Sequence, residues 1–94
     1  MATVVHGDFE WDAEKARANI LKHGVTFEEA AVAFTDPLAI DKDDLSEPGR
    51  LVTLAMSPYA RILVVVTIEP GERTRIISAR RATSHERREY EERS

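Results

Sequence analysis

Apolar positions along this chain change period twice, and the changes mark where helices give way to strands and strands to a helix again. Met1 to Gly7 carries no clear signal and reads as an extension. Phe9-Glu10-Trp11 fits a short edge strand or lead-in segment, and Asp12 is a good N-cap for a helix from Ala13 to His23, which Gly24 ends in the left-handed conformation. On that helix Ala13, Ala16, Ile20 and Leu21 share an apolar side, whereas Lys15, Asn19, Lys22 and His23 share a polar, cationic one. Thr26-Phe27-Glu28-Glu29 has capping-box spacing, with the hydroxyl at the N-cap and a carboxylate at the third helical position. Phe27, Ala30, Ala31 and Phe34 then follow at helical spacing as a core-facing stripe, and Asp36-Pro37 stops the helix. Two helices joined by two or three residues predict a helical hairpin.

From Leu38 the period falls to two. Leu38-Ala39-Ile40 is a first strand, followed by an acidic loop through Asp41, Asp43, Asp44 and Glu47 to Pro48-Gly49. Arg50 to Ser57 alternates as a second strand. Ser57-Pro58-Tyr59-Ala60 is a turn, and Arg61 to Glu69, apolar on both faces through Ile62-Leu63-Val64-Val65-Val66, belongs in the middle of a sheet. Pro70-Gly71-Glu72 closes a hairpin into Arg73 to Thr83, a strand carrying arginine on both faces. Thr83-Ser84-His85-Glu86 repeats the capping-box spacing and opens a polar terminal helix running towards Arg93, with Tyr90 as its only large apolar-bodied residue and Glu89–Arg93 as a candidate charge pair. The expected fold is α+β: an N-terminal helical hairpin packed on an antiparallel β-meander of about four strands, with a C-terminal helix. Residues 9–94 make one domain and residues 1–8 an extension.

Composition narrows the chemistry. At 94 residues there is room for one core, and 43% hydrophobic with 32% charged residues is an ordinary globular balance. The absence of cysteine excludes disulfides and thiolate metal sites. An apolar run such as Ile62 to Val66 is far too short to span a bilayer, and without a signal-peptide pattern the cytoplasm is the expected compartment. Net charge is −4, but it is unevenly spread: Met1 to Gly49 holds 4 basic and 11 acidic residues, and Arg50 to Ser94 holds 9 arginines and 6 glutamates. Such asymmetry leaves room for a basic site on an acidic molecule.

His6, His23 and His85 lie too far apart for a ligand motif, the glycines are scattered, and no nucleophile motif is present, so neither a metal nor a cofactor is expected. Arginine, lysine, histidine and tyrosine remain, a set that suits RNA cleavage. A base takes the proton of a 2′-hydroxyl, cations stabilise the phosphorane, and an acid protonates the leaving oxygen. Counting symmetrically about a turn near Gly71 places Arg61 beside Arg80 or Arg81, and like charges at that spacing favour an anion between them. Arginine's planar fork matches phosphate oxygens. The catalytic candidates are Arg61, Arg80, Arg81, His23 and Lys22. The RNA-contact candidates are Lys15, Arg73, Arg75 and Tyr90, while Trp11 reads as a core anchor.

Two long motifs carry a family resemblance: Phe9-x-Trp11-Asp12-x-x-Lys15-x-x-x-Asn19-x-x-Lys22-His23-Gly24-Val25-x-Phe27, and Arg75-Ile76-Ile77-Ser78-Ala79-Arg80-Arg81-Ala82-Thr83-x-x-Glu86-Arg87-x-x-Tyr90-Glu91. In that order they resemble the BrnT toxins. The resemblance implies a RelE-like toxin fold, ribonuclease activity that inhibits translation, and a BrnA-type antitoxin partner that forms a hetero-oligomer with the toxin and reaches operator DNA on its behalf. Where the family commonly carries glycines before the central strand, this chain has Ala55, Pro58 and Ala60. Two other readings stand beside it: a non-catalytic module whose arginine strand holds an acidic protein segment, and a RelE-fold toxin acting on DNA gyrase.

Overall fold

A computed structural model describes residues 2–69 and 71–92. The chain opens on a β-hairpin. Strands β1 (Thr3–His6) and β2 (Phe9–Asp12) pair antiparallel, His6 opposite Phe9, around the two-residue turn Gly7-Asp8, where Gly7 takes a φ of 61° that a side chain would strain. Helices α1 (Ala13–His23) and α2 (Phe27–Ala33) follow, then β3 (Ile40–Asp43), β4 (Leu51–Met56), β5 (Ile62–Ile68), β6 (Thr74–Arg81) and α3 (Ser84–Glu92). The six strands form one mixed sheet in the order β1-β2-β6-β5-β4-β3. After β2 the chain passes over the sheet as α1 and α2, descends at the far edge as β3, and returns by hairpins to the middle, so that β6 lies parallel beside β2.

This corrects the expected fold. Strands, not helices, come first; the sheet is mixed and six-stranded, not an antiparallel meander of about four; and the helices do not pack as a hairpin against each other. Instead α1 lies on β2 and β6, and α2 on β5 and β6. Thr3–His6, within the stretch read as an extension, supplies β1. Pro70 of the expected turn, and Arg93, expected to pair with Glu89, lie outside the described residues.

Both faces of the sheet are covered. Under α1 and α2, Trp11, Phe27, Leu63, Val65, Ile76 and Ala79 form the larger core, with the Trp11 and Phe27 rings edge-on at 5.8 Å. On the opposite face Leu54, Ile62 and Val64 pack against Tyr90 of α3. The helix caps follow the sequence: the Asp12 carboxylate accepts from Lys15 N–H at 3.2 Å, Gly24 ends α1 at φ 68°, and the Thr26 hydroxyl accepts from Glu29 N–H at 3.0 Å.

The buried side of α1 differs from the expected one. Ile20 and Leu21 are 46% and 86% exposed, and the only buried residue on the helix is Asn19. The reason lies in the sheet. β2 pairs with β6 only as far as Glu10–Arg75, which leaves the β2-facing backbone edge of β6 without a strand beyond that point. Asn19 takes the place of one: its amide donates to Ala79 C=O at 2.7 Å and Val25 C=O at 2.9 Å, and its carbonyl accepts from Ala79 N–H at 3.2 Å. A buried peptide group must find a partner, and that demand outweighs the burial of two aliphatic side chains.

Candidate functional site

Strand β6 carries a bulge that decides where its arginines point. Val66 pairs with Ser78 but Thr67 pairs with Ile76, so Ile77 is an extra residue and the alternation of faces changes there. Ala79 and Arg81 therefore lie on the face of α1 and α2 together with Ile76, while Arg75 and Arg80 lie on the face of α3. Strict alternation had separated Arg75 from Arg80. The register also moves. Leu63 is opposite Arg81 and Val64 opposite Arg80, so Arg61 is not directly across from either; it sits diagonally from Arg81 on the same face.

Arg61 closes the end of the sheet beneath α2. Its guanidinium forks onto the Glu29 carboxylate, Nε to Oε2 at 3.0 Å with Nη2 on Oε1, and Nη2 reaches Gly24 C=O at 3.3 Å, next to His23 at the end of α1. The Glu29 side chain is only 3% exposed and that of Arg61 25%. Burial opposes ionisation of Glu29, but hydrogen bonds from Arg61 and Ser57 and the charges of Arg61 and Arg81 outweigh it, and its pKa lies below the ordinary value. In return the carboxylate raises the already high pKa of Arg61. The result is a cation held in one orientation by a buried anion. Beside it Arg81 is exposed and makes no ion pair among the described residues. Arg61 and Arg81 line one cleft of about 200 Å³ with Arg87 of α3, Glu91 and Met56. With Glu29 already held by Arg61 and Glu91 in the lining, three guanidiniums stand against two carboxylates, an excess of positive charge at this end of the sheet.

The other expected residues fall elsewhere. Arg80 forks onto Glu86 with two contacts of 2.8 Å, and Glu86 also accepts from Thr83 N–H at 2.9 Å while its own N–H donates to the Thr83 hydroxyl at 3.2 Å. The capping box thus ties strand to helix. Led by the Arg80 contact, these interactions overcome burial and lower the Glu86 pKa to about 2. Arg75 holds Glu10 of β2 at 2.7 Å. Tyr90 is buried at 6% exposure, and its hydroxyl donates to Asp36, so it anchors α3 and does not face solvent. Lys15, Lys22 and His23 share a shallow groove with Ile77 and Ser78 on the α1 side of β6, and Arg73 precedes that strand.

Sequence reasoning missed Glu29 and Arg87. Glu29 was read as half of a capping box; Thr26 supplies its half of that cap, and the Glu29 side chain turns to Arg61 instead. Arg87 lay within a polar helix with no sign of which side would meet the strand end. No cluster of three or more His, Cys, Asp or Glu side chains suited to a metal occurs among the described residues, nor is any helix there long and apolar enough to cross a membrane.

The family model described as the ribonuclease toxin BrnT of type II toxin–antitoxin systems matches residues 11–86. No curated protein matches the chain. Among solved structures, the crystal structure of the Brucella abortus ribonuclease toxin BrnT is similar, with a TM-score of 0.65 and 25% sequence identity over 79% of this chain and 94% of that one.

Proposed function

The chain belongs to the BrnT family of ribonuclease toxins of type II toxin–antitoxin systems, and we propose that it cleaves RNA without a metal, at the cleft lined by Arg61, Arg81 and Arg87. The observation that carries this reading is the pairing of one guanidinium fixed by a buried carboxylate with a second left open beside it. A scissile phosphate seated there gains the charge stabilisation that the phosphorane needs, from donors already in place. The RNA 2′-oxygen bonds to phosphorus, the bond from phosphorus to the 5′-oxygen breaks, and the products are a 2′,3′-cyclic phosphate and a 5′-hydroxyl. In this reading His23 and Lys22, which line a neighbouring groove and precede the Gly24 carbonyl that Arg61 contacts, exchange the two protons that move. Arg80 fixes α3 and so positions Arg87 at the cleft.

Family membership implies an antitoxin partner. In this reading it is a BrnA-type protein that brings acidic or helical segments over the cleft and α3, blocking RNA entry and reaching operator DNA through its own DNA-binding part, with the toxin acting in the cytoplasm. Incubation of purified protein with RNA in EDTA tests the reaction. Fragments ending in cyclic phosphate are expected; a strict metal requirement, or no cleavage in any buffer, would contradict it.

A further inference from the structure

Beside the arginine cleft an aromatic ring stands in solvent. The four-residue turn Ser57-Pro58-Tyr59-Ala60 joins β4 to β5 and delivers the chain directly into Arg61. Of the chain's larger aromatics, Trp11, Phe27 and Tyr90 are buried, whereas Tyr59 is 71% exposed. An aromatic ring left in water gives up the burial that normally holds it in a fold, so its position is set by the backbone that carries it.

That backbone is firmly fixed. Ser57 is 4% exposed; its N–H donates to Arg61 C=O at 2.8 Å, its C=O accepts from Ala60 N–H at 3.0 Å, and its hydroxyl accepts from Tyr59 N–H at 3.2 Å. Ala60 adopts a φ of 60°, the left-handed region that the other positive-φ residues described here, Gly7, Gly24 and Gly49, reach without a side chain. A strained alanine persists where surrounding contacts over-determine the turn, a condition met at working sites. Ala60, between Tyr59 and Arg61, lines the arginine cleft together with Arg61. The exposed ring therefore stands at the border of the cleft, carried by the turn that leads into Arg61.

We propose that Tyr59 is a stacking platform for an unpaired base adjoining the scissile phosphate, which would make this toxin select single-stranded RNA and hold the phosphodiester in register with Arg61 and Arg81. Base–aromatic stacking tolerates any base, because each has a π-face, and it requires the base to be free of a duplex. Phosphate contacts position a strand and stacking orients it; the cleft supplies the first and Tyr59 the second. The inference rests on the RNA-cleaving reading of the same cleft.

The test uses a short single-stranded 2′-O-methyl RNA carrying 2-aminopurine, which lacks the attacking hydroxyl and so binds without being cut. Tyr59→Ala and Tyr59→Leu should weaken binding about 5- to 150-fold and abolish the quenching that stacking imposes on 2-aminopurine, while Tyr59→Phe stays within about twofold with quenching intact. Circular dichroism verifies folding. Unchanged binding and quenching in Tyr59→Ala, or a loss in Tyr59→Phe equal to that in Tyr59→Ala, would overturn the proposal, the second outcome giving the role to the hydroxyl. A loss of antitoxin capture in Tyr59→Ala with RNA binding intact would also overturn it. Arg81→Ala in the same assay separates the two ideas: loss of RNA binding there, with none in Tyr59→Ala, leaves the cleft standing and removes the platform, whereas wild-type protein that neither binds nor cuts RNA removes both.

Discussion

A buried carboxylate beneath an arginine has two consequences that mutation separates. Removing the Arg61 side chain leaves Glu29, 3% exposed, without its counter-charge. Breaking such a pair costs about 3 kcal/mol at neutral pH. Because Arg61 and its neighbours hold the Glu29 pKa below the ordinary value, the pair's stabilising effect is present above the unfolded carboxylate's range and is lost as pH falls through the lowered value. In Arg61→Ala burial is opposed only by the Ser57 hydrogen bond and the Arg81 charge, so the Glu29 pKa rises from its lowered value and the destabilisation should shrink under acid as Glu29 takes up a proton. Urea denaturation at several pH values checks this. Glu29→Gln added to Arg61→Ala should recover most of the lost stability, since a neutral amide is cheaper to bury than an unpaired charge. Cleavage should not recover with it; a double variant that regains activity would show that Arg61 serves only the fold. Arg61 and Arg81 were legible as candidates because arginine's chemistry is local to the residue. The Glu29 partnership was not, because it joins residues far apart in sequence and the Thr26 spacing offered a nearer explanation for the same carboxylate.

Among the elements, the β6–α3 junction and the α1–β6 seam carry the most testable chemistry. Glu86 titrates at about 2 in place of the ordinary 4.5, so it stabilises the fold fully above the ordinary value, and that contribution is lost as pH falls towards 2. With the Arg80 side chain 39% exposed and partly screened, the contribution is about 2 kcal/mol. Glu86→Gln should lower stability at pH 7 by about that amount and flatten the acid limb of the stability–pH curve. An unchanged limb would mean that the Arg80–Glu86 fork does not hold α3 in solution. At the seam, Asn19→Leu should cost about 2–4 kcal/mol by leaving both the Ala79 N–H and C=O unpaired, seen as a lower urea midpoint.

These elements also mark where the sequence could be read. The caps at Asp12, Thr26 and Thr83, the stop at Gly24 and the central placement of Ile62–Ile68 each depend on a few adjacent residues, and each was visible. The hairpin around Gly7-Asp8 was not: Met1 to Gly7 carried no clear signal, and so short a strand as Thr3–His6 passed for an extension. The bulge at Ile77 leaves no compositional mark, and it alone reassigns faces along β6. Asn19 looked like a surface residue because the unpaired edge it serves exists only once β2 stops short.

Across the whole molecule, the acidic first half and the arginine-rich second half are interleaved in space. Arg61 meets Glu29 and Arg75 meets Glu10, so the net −4 charge coexists with a cleft where the positive residues outnumber the acid. An antitoxin that neutralises this cleft should protect Met56–Ile62 and Arg81–Tyr90 from hydrogen exchange and leave the exposed side of α1 unchanged; protection confined to Ile20 and Leu21 would place it elsewhere. RNA binding should weaken as salt rises, since phosphate contacts release counterions.

The central claim is that an RNA phosphodiester is held and cut between Arg61 and Arg81, and Arg81 tests it most directly because its side chain is exposed and joins no ion pair among the described residues. The measurement is the single-turnover cleavage rate of one RNA in EDTA by wild type, Arg81→Lys and Arg81→Ala, each with its urea midpoint. Midpoints nearly unchanged, since the Arg81 charge is the least of the influences on Glu29, with cleavage reduced at least about tenfold in Arg81→Lys and at least about a hundredfold in Arg81→Ala, are the predicted result. Full activity in Arg81→Ala would contradict it.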